Sequence, residues 1–278
     1  MRLCRFAHDG HSRLGIVSGD VVIPVDGFVE MIDLIAAWPT LRPWLEDVER
    51  QRLGAFALAS AELLAPIARP GKIMAIGLNY ADHVAESGMK TPEHQTWFAK
   101  ATSAVVGPFQ PVQLPRVSSS VDYEAELVVV IGGGGRHIPE AGALDAVFGY
   151  ACGNDVSVRD WQLRTPQWIL GKSFDTHAPF GPWITTADEV DPSHLGIRAL
   201  VNGEVRQSSN TRHLVFDVAA QIAHLSQAMT LEPGDLIYTG TPGGVGMGMK
   251  PPRFLAPEDV VRIEIDGLGA IENRFVPE

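Results

Sequence analysis

At 278 residues, with 45% hydrophobic and 20% charged side chains and a formal net charge of -11, the chain can bury a full core as one large domain or a small one plus a larger one. The negative balance disfavours nonspecific nucleic-acid and anionic-membrane partners and suits a cation instead. Cys4 and Cys152 alone make no disulfide framework and no Cys-rich metal site. No run approaches the roughly 20 apolar residues of a membrane span and no apolar leader is read at the start, so the expectation is a cytoplasmic protein with no membrane partner.

Residues 1 to about 66 read as a small β-rich unit. Alternating segments lie near Arg2 to Ala7 and Leu14 to Pro24, with turns at Asp9-Gly10 and Gly19-Asp20. Helical pattern follows over Phe28 to Ala37 and Leu41 to Leu53, with Pro39 and Pro43 breaking between them. His8 and His11 flank a turn and read as solvated. The stretch Ala65-Pro-Ile-Ala-Arg-Pro-Gly71 is a linker, and beyond it Lys72 to Gly77 reads as a strand. That strand runs into a short helix with Asp82 as N-cap and Gly88 as stop, which places His83 and Glu86 three residues apart on one face. A carboxylate so placed can orient an imidazole that takes a proton from water; an exposed His beside an exposed Glu is the competing reading. Met89 to His94 is polar and contains a proline, as a lid would.

The densest chemistry begins at Asp122-Tyr-Glu124-Ala-Glu126, which leads into the apolar run Leu127 to Ile131. Alternate residues of a strand share a face, so Glu124 and Glu126 point the same way at the start of a core strand. Two carboxylates about 4 Å apart repel by roughly 4 kcal/mol at an effective dielectric near 20, so burying them calls for a proton or a cation. A solvated edge-strand face is the alternative for this segment alone. A third acid, Asp155, follows an apolar run at a strand end. Three oxygen ligands with no His or Cys pair nearby favour Mg2+, Mn2+ or Ca2+ over zinc.

Gly132 to Gly135 forms a turn that fits no dinucleotide fingerprint. Arg159 and Gln162 fall on one face of a short helical turn, where the arginine can hold a carboxylate or pair with an acid such as Asp160. The Gly171-Lys172-Ser173 triplet is not a Walker loop, since Pro166 stands where that pattern needs glycine. Lys172 reads either as a positive group beside the metal site or as a surface lysine. His177 reads as structural. Asn202-Gly203 and Asp266-Gly267 signal hairpins, and Phe216 to Gln227 an amphipathic helix with Phe216, Ala219, Ala220, Ala223 and Leu225 inward. A strand Asp235 to Thr239 delivers Thr239-Gly-Thr241-Pro-Gly-Gly-Val-Gly246, a loop whose N–H groups and hydroxyl can approach a ligand oxygen or simply turn the chain.

Five ordered motifs, Gly77-Leu-Asn-Tyr-Ala-Asp-His83-Val-Ala-Glu86, Asp122-Tyr-Glu124-Ala-Glu126, Gly153-Asn-Asp155-Val-Ser-Val-Arg159-Asp-Trp-Gln162, Gly171-Lys172-Ser-Phe-Asp175 and Thr239-Gly-Thr241-Pro242, together resemble the fumarylacetoacetate hydrolase family. The resemblance runs from about Lys72 to the last residue, in the branch that pairs a short N-terminal domain with the catalytic one. It implies an α+β, mainly β fold: a mixed β-sandwich roll over residues 67–278 with a small β-rich domain at 1–66, assembled as a homodimer. It further implies that Glu124, Glu126 and Asp155 bind Mg2+ or Mn2+, that Lys172 and Gln162 contact substrate oxygens, and that Arg159 and Thr241 hold the substrate carboxylate. Tyr80 is grouped with these substrate-binding residues, and His83 with Glu86 matches the His and Glu of a mobile lid.

The expected reaction is metal-assisted hydrolysis of a C–C bond in a 1,3-diketo acid of the acylpyruvate or fumarylpyruvate type, as in aromatic catabolism. Its products are pyruvate or a related 2-oxo acid and a carboxylic acid. His83, oriented by Glu86, activates water, and Lys172 helps carry the charge of the enolate that leaves. A decarboxylase or isomerase of a 2-oxo diacid (oxaloacetate or oxopentene-tricarboxylate type) needs the same enolate without the water-activating pair. A diketo-deoxy sugar-acid hydrolase is a further enzyme reading. A non-catalytic binding scaffold has no use for the His83 and Glu86 pair.

Overall fold

A computed structural model describes residues 1–8, 10–82, 90 and 92–278. Its spine is the strand Ala125–Ile131, every residue of which is buried. One face, with Leu127, Val129 and Ile131, packs against Ile197, Ile263 and Ile271 of a second sheet. The other face, with Val128 and Val130, belongs to a second core cluster that also holds Phe180 and Ile184 of the same sheet and Leu34 and Ile35. Burial on both faces is the reason the segment reads as an unbroken apolar run rather than an alternating one.

This strand lies between Val147–Asn154 and Leu236–Tyr238, antiparallel to both, in a mixed twelve-stranded sheet. Leu236–Tyr238 in turn pairs in parallel with Ile73–Gly77, and Thr96–Lys100 closes that edge. In the other direction the sheet runs through Ala178–Thr186 into the N-terminal strands Arg2–His8, His11–Ser18 and Val21–Val25, with Leu3 opposite Ile184. A five-stranded sheet built around Gly196–Val201, Val260–Ile265 and Gly269–Pro277 covers one face. Its first hairpin turns at Asn202 and Gly203, both with positive φ (53° and 81°), the geometry an Asn-Gly pair favours. These are the layers of an α+β, mainly β molecule.

The helices depart from the sequence reading in two places. Two helices form as expected, Met31–Ala36 and Trp38–Gln51, but they part at Ala37; Pro39 and Pro43 lie within the second, Pro39 in its first turn and Pro43 inside. A first-turn proline loses no helical bond, and Pro43 forgoes only the bond to the carbonyl of Pro39, so the helix continues. The later helix is Val218–Ala228, capped by Asp217, whose carboxylate accepts from the Ala220 N–H at 2.8 Å. Its buried positions include the expected Ala223 and Leu225 together with Val218 and Ile222, but not Ala219 and Ala220. Phe216 belongs to the preceding loop, where the Asn79 side chain binds both its N–H and its carbonyl, and that shifts the phase of the helix. Among the described residues no helix is long and apolar enough to cross a membrane.

Candidate active site

The core strand begins where its apolar run ends, and there the acids collect. Glu124 and Glu126 share a face by strand parity, and Gly153 and Asn154 lie opposite Glu126 and Ala125, so the chain emerging from that neighbour delivers Asp155 to the same spot. The Asp155 N–H donates to the Glu124 carbonyl at 2.9 Å. One oxygen from each of Glu124, Glu126 and Asp155 lies within 4.8 Å of the others, and all three residues are buried.

Cations surround this cluster. Lys172 Nζ donates to Glu124 Oε2 at 2.7 Å and to Asp155 Oδ2 at 2.6 Å. Burial opposes its charge, but Asp155 and Glu124 outweigh that and hold its pKa above the usual value. Arg159 reaches Asp122 at 2.8 Å and Glu124 at 2.6 Å, and donates to Gln162 Oε1 at 3.0 Å. Lys100 Nζ donates to Asp155 Oδ1 at 2.5 Å, and burial pulls its pKa down. Glu126 is different: its Oε2 accepts from the Gly240 N–H at 2.7 Å, and among the described residues it makes no direct ion pair, although Lys172 is near enough for its charge to favour the carboxylate. Burial, followed by the charges of Asp155 and Glu124, pushes its carboxyl well up. A hard divalent cation at the triad relieves that repulsion, so the donor set fits such an ion.

Above the acids lies a cavity of about 220 Å3 lined by Glu124, Glu126, Arg159, Gln162, Lys172 and Thr241 on its polar side. Arg159 and Gln162 come from the helical turn Arg159–Gln162, and Lys172 from the turn Ile169–Lys172 packed on it. Thr241 enters on the glycine-rich loop after Leu236–Tyr238, where Gly240 takes φ +97°, a conformation that aims its N–H at Glu126.

Two family models match the chain, "Fumarylacetoacetate (FAA) hydrolase C-terminal" over residues 72–276 and "Rv2993c-like, N-terminal" over residues 1–66. The chain belongs to the fumarylacetoacetate hydrolase family. An oxaloacetate tautomerase of Xenopus laevis, described as mitochondrial, is 50% identical over 221 residues, 78% of this chain and 69% of its own length. The fumarylacetoacetate hydrolase of Exiguobacterium antarcticum is 38% identical, with a TM-score of 0.89 and full coverage of both chains. A maleylpyruvate hydrolase of Sphingobium sp. SYK-6, solved with manganese(II) and pyruvate, is 38% identical with a TM-score of 0.86, covering 100% of this chain and 99% of that one. The family therefore includes hydrolases and tautomerases, and one of its members has been seen with a divalent metal.

Of the residues singled out from sequence, Glu124, Glu126, Asp155, Lys172, Arg159, Gln162 and Thr241 are brought together. His83 and Glu86 lie outside the described residues. Tyr80 does not line the cavity. It is fully buried in the core between the sheets, its backbone bridged to Leu214, and its hydroxyl has no partner among the described residues. Arg159, expected to grip a substrate carboxylate, lines the cavity and is paired with Asp122 and Glu124.

Sequence reasoning passed over two contributors. Lys100 ends the strand Thr96–Lys100 on the same face as Phe98, and a lysine on the apolar parity of a strand was the available signal. Gln207 donates to Thr241 Oγ1 and to the Pro242 carbonyl, and accepts from the Ala125 N–H, tying the glycine-rich loop to the acidic strand. Nothing local in sequence distinguishes it from its polar neighbours.

Proposed function

We propose that the chain is a metal-dependent hydrolase that cleaves a C–C bond in a 1,3-diketo acid of the acylpyruvate or fumarylpyruvate type, giving pyruvate or a related 2-oxo acid and a carboxylic acid. The observation that carries this reading is a buried triad of carboxylates, one of them without a direct ion pair among the described residues, beneath a cavity that also holds Lys172. Glu124, Glu126 and Asp155 would hold Mg2+ or Mn2+, which when bound supplies Lewis-acid stabilisation of negative charge on a substrate oxygen. Lys172 is the protein's own group for that charge, and Gln162 and Thr241 orient the 2-oxo acid end. Arg159 acts by fixing Glu124 in place. His83, held by Glu86, takes the proton of a water whose oxygen bonds to the far carbonyl carbon. The bond from that carbon to the central methylene then breaks, its electron pair passes to the 2-oxo acid fragment as an enolate, and a proton returns to carbon.

Division of the chain into units at 1–66 and 67–278, and assembly as a homodimer, belong to the same proposal. The test is Glu126→Gln, which should abolish both Mn2+ uptake, read by calorimetry, and acylpyruvate cleavage, read by loss of the enol absorbance. Full turnover in metal-free buffer sinks the reading. A second reading, a tautomerase or decarboxylase of a 2-oxo diacid, draws support from the 50% identity to the Xenopus laevis oxaloacetate tautomerase. Because this chemistry needs no attacking water, His83→Ala separates the two: a loss of about a hundredfold or more favours hydrolysis, and unchanged turnover favours the alternative.

A further inference from the structure

The lining of the cavity is of two chemical kinds. Beside the polar floor stands a wall of Ile76, Leu78, Phe98, Leu163, Trp168 and Met247, with Lys172 Nζ 4.8 Å from the centre of the Phe98 ring. This wall is built in. A Cβ placed on Gly77 would sit 2.6 Å from Trp168 Cζ3, so the glycine makes room for the indole, which also packs on Phe98 with ring centroids 5.5 Å apart. Leu163 is 62% exposed and Met247 39% exposed, so the hydrocarbon continues outward.

Both cations of the lining, Arg159 and Lys172, pair with carboxylates on the floor, and Lys172 is the group assigned above to the 2-oxo acid end rather than the far end. Near the wall, Arg164 lies over the Trp161 ring at 4.3 Å and pairs with Asp160. Residues 83–89 and 91, outside the described set, contain no Lys or Arg in their sequence, their one basic side chain is His83, proposed above as a base and so uncharged when it acts, and the exposed Lys90 is not among the described lining. A carboxylate set against this wall would lose its water where the described lining of the wall offers no Lys or Arg, whereas an alkyl or aryl group there gains by burial. At about 220 Å3 the cavity also lies at the small end of ligand pockets.

We infer that the site selects 2-oxo acids whose far end is uncharged and apolar, an alkyl or aryl acylpyruvate rather than a diketo diacid. The inference rests on the function proposed above and narrows it. Two isosteric probes test it on the Mn2+-loaded protein by calorimetry: 5-methyl-2-oxohexanoate, ending in two methyl groups, and 2-oxoglutarate, ending in two carboxylate oxygens. At roughly fourfold per buried carbon, the first should bind at least about tenfold more tightly. Equal affinities, tighter 2-oxoglutarate binding, or binding of neither overturns the inference. Leu163→Lys, a change at a largely exposed position, should cut the ratio by about tenfold; an unchanged ratio in that variant also counts against it. Cleavage assays with the corresponding acylpyruvates judge the reaction separately. A binding preference without cleavage leaves the selectivity standing and removes the hydrolase reading, and cleavage that favours diacids does the reverse.

Discussion

Gly171 explains why a Gly-Lys-Ser triplet occurs here without a phosphate loop. A Cβ on Gly171 would lie 2.3 Å from the Gln162 backbone nitrogen and 2.5 Å from its Cα, so the turn carrying Lys172 touches the turn carrying Gln162 through the missing side chain. Gly171→Ala must push the two turns apart, because backbone atoms cannot step aside. Overpacking of this kind costs about 1–3 kcal/mol. A lower denaturant midpoint together with at least a tenfold fall in kcat/KM is the expected outcome; wild-type values of both would break the argument. His177 gives the second residue-scale prediction. It is fully buried, its Nε2 lies 2.9 Å from the Gln113 carbonyl oxygen, and burial lowers its pKa to about 4. With a depressed folded-state value, its neutral form contributes full stability above the unfolded value near 6.5, and that contribution is lost as pH falls toward 4. Between pH 7 and pH 5 this one group should remove about 2 kcal/mol of unfolding free energy. Urea titrations of the wild type and His177→Gln at both pH values check the point, since the variant should show a correspondingly smaller decline.

At the scale of elements, the acidic strand and the glycine-rich loop are separate in sequence and held together by Gln207, a fully buried side chain on the strand Glu204–Asn210. It satisfies the Ala125 N–H directly between Glu124 and Glu126, and it orients the Thr241 hydroxyl. Gln207→Ala leaves a buried N–H and carbonyl without that partner, a cost of about 1–3 kcal/mol. The site should loosen with it, so weakened Mn2+ binding in a folded variant is expected, and unchanged metal affinity would show that the tie is not what positions the acids. Element positions were largely legible in the sequence because turns and strand parity are local properties. The Asn202-Gly203 hairpin and the core strand both fall where those signals placed them. The proline-containing helix and the phase of Val218–Ala228 were not legible, since each depends on a contact from elsewhere or on tolerance at a helix start.

Across the whole molecule the balance of charge at the site is incomplete. Asp122, Glu124, Glu126 and Asp155 face Lys100, Arg159 and Lys172, which leaves Glu126 as the carboxylate hydrogen-bonded by a backbone N–H and without a direct ion pair among the described residues. An ion bound there stabilises the folded state by mass action, by about 2.7 kcal/mol at a hundred times its Kd. Adding Mn2+ should therefore raise Tm, a chelator should reverse the shift, and Glu126→Gln should remove it. A Tm indifferent to Mn2+ in the wild type would mean that the triad holds no ion.

The residue types and the short-range order of the chain determined the chemistry on offer: two acids on one strand face, a third at a neighbouring strand end, and an Arg, Gln and Lys on short turns. Periodicity and turn geometry are properties of adjacent residues, so they survive in a linear string. Only the packed sheets decided that Arg159 pairs with Asp122 and Glu124, that Tyr80 faces the core, that Lys100 joins the cluster and that hydrocarbon walls the cavity. Each of these depends on which distant side chain arrives opposite, and that is set by strand pairing and burial across the whole fold rather than by any local signal.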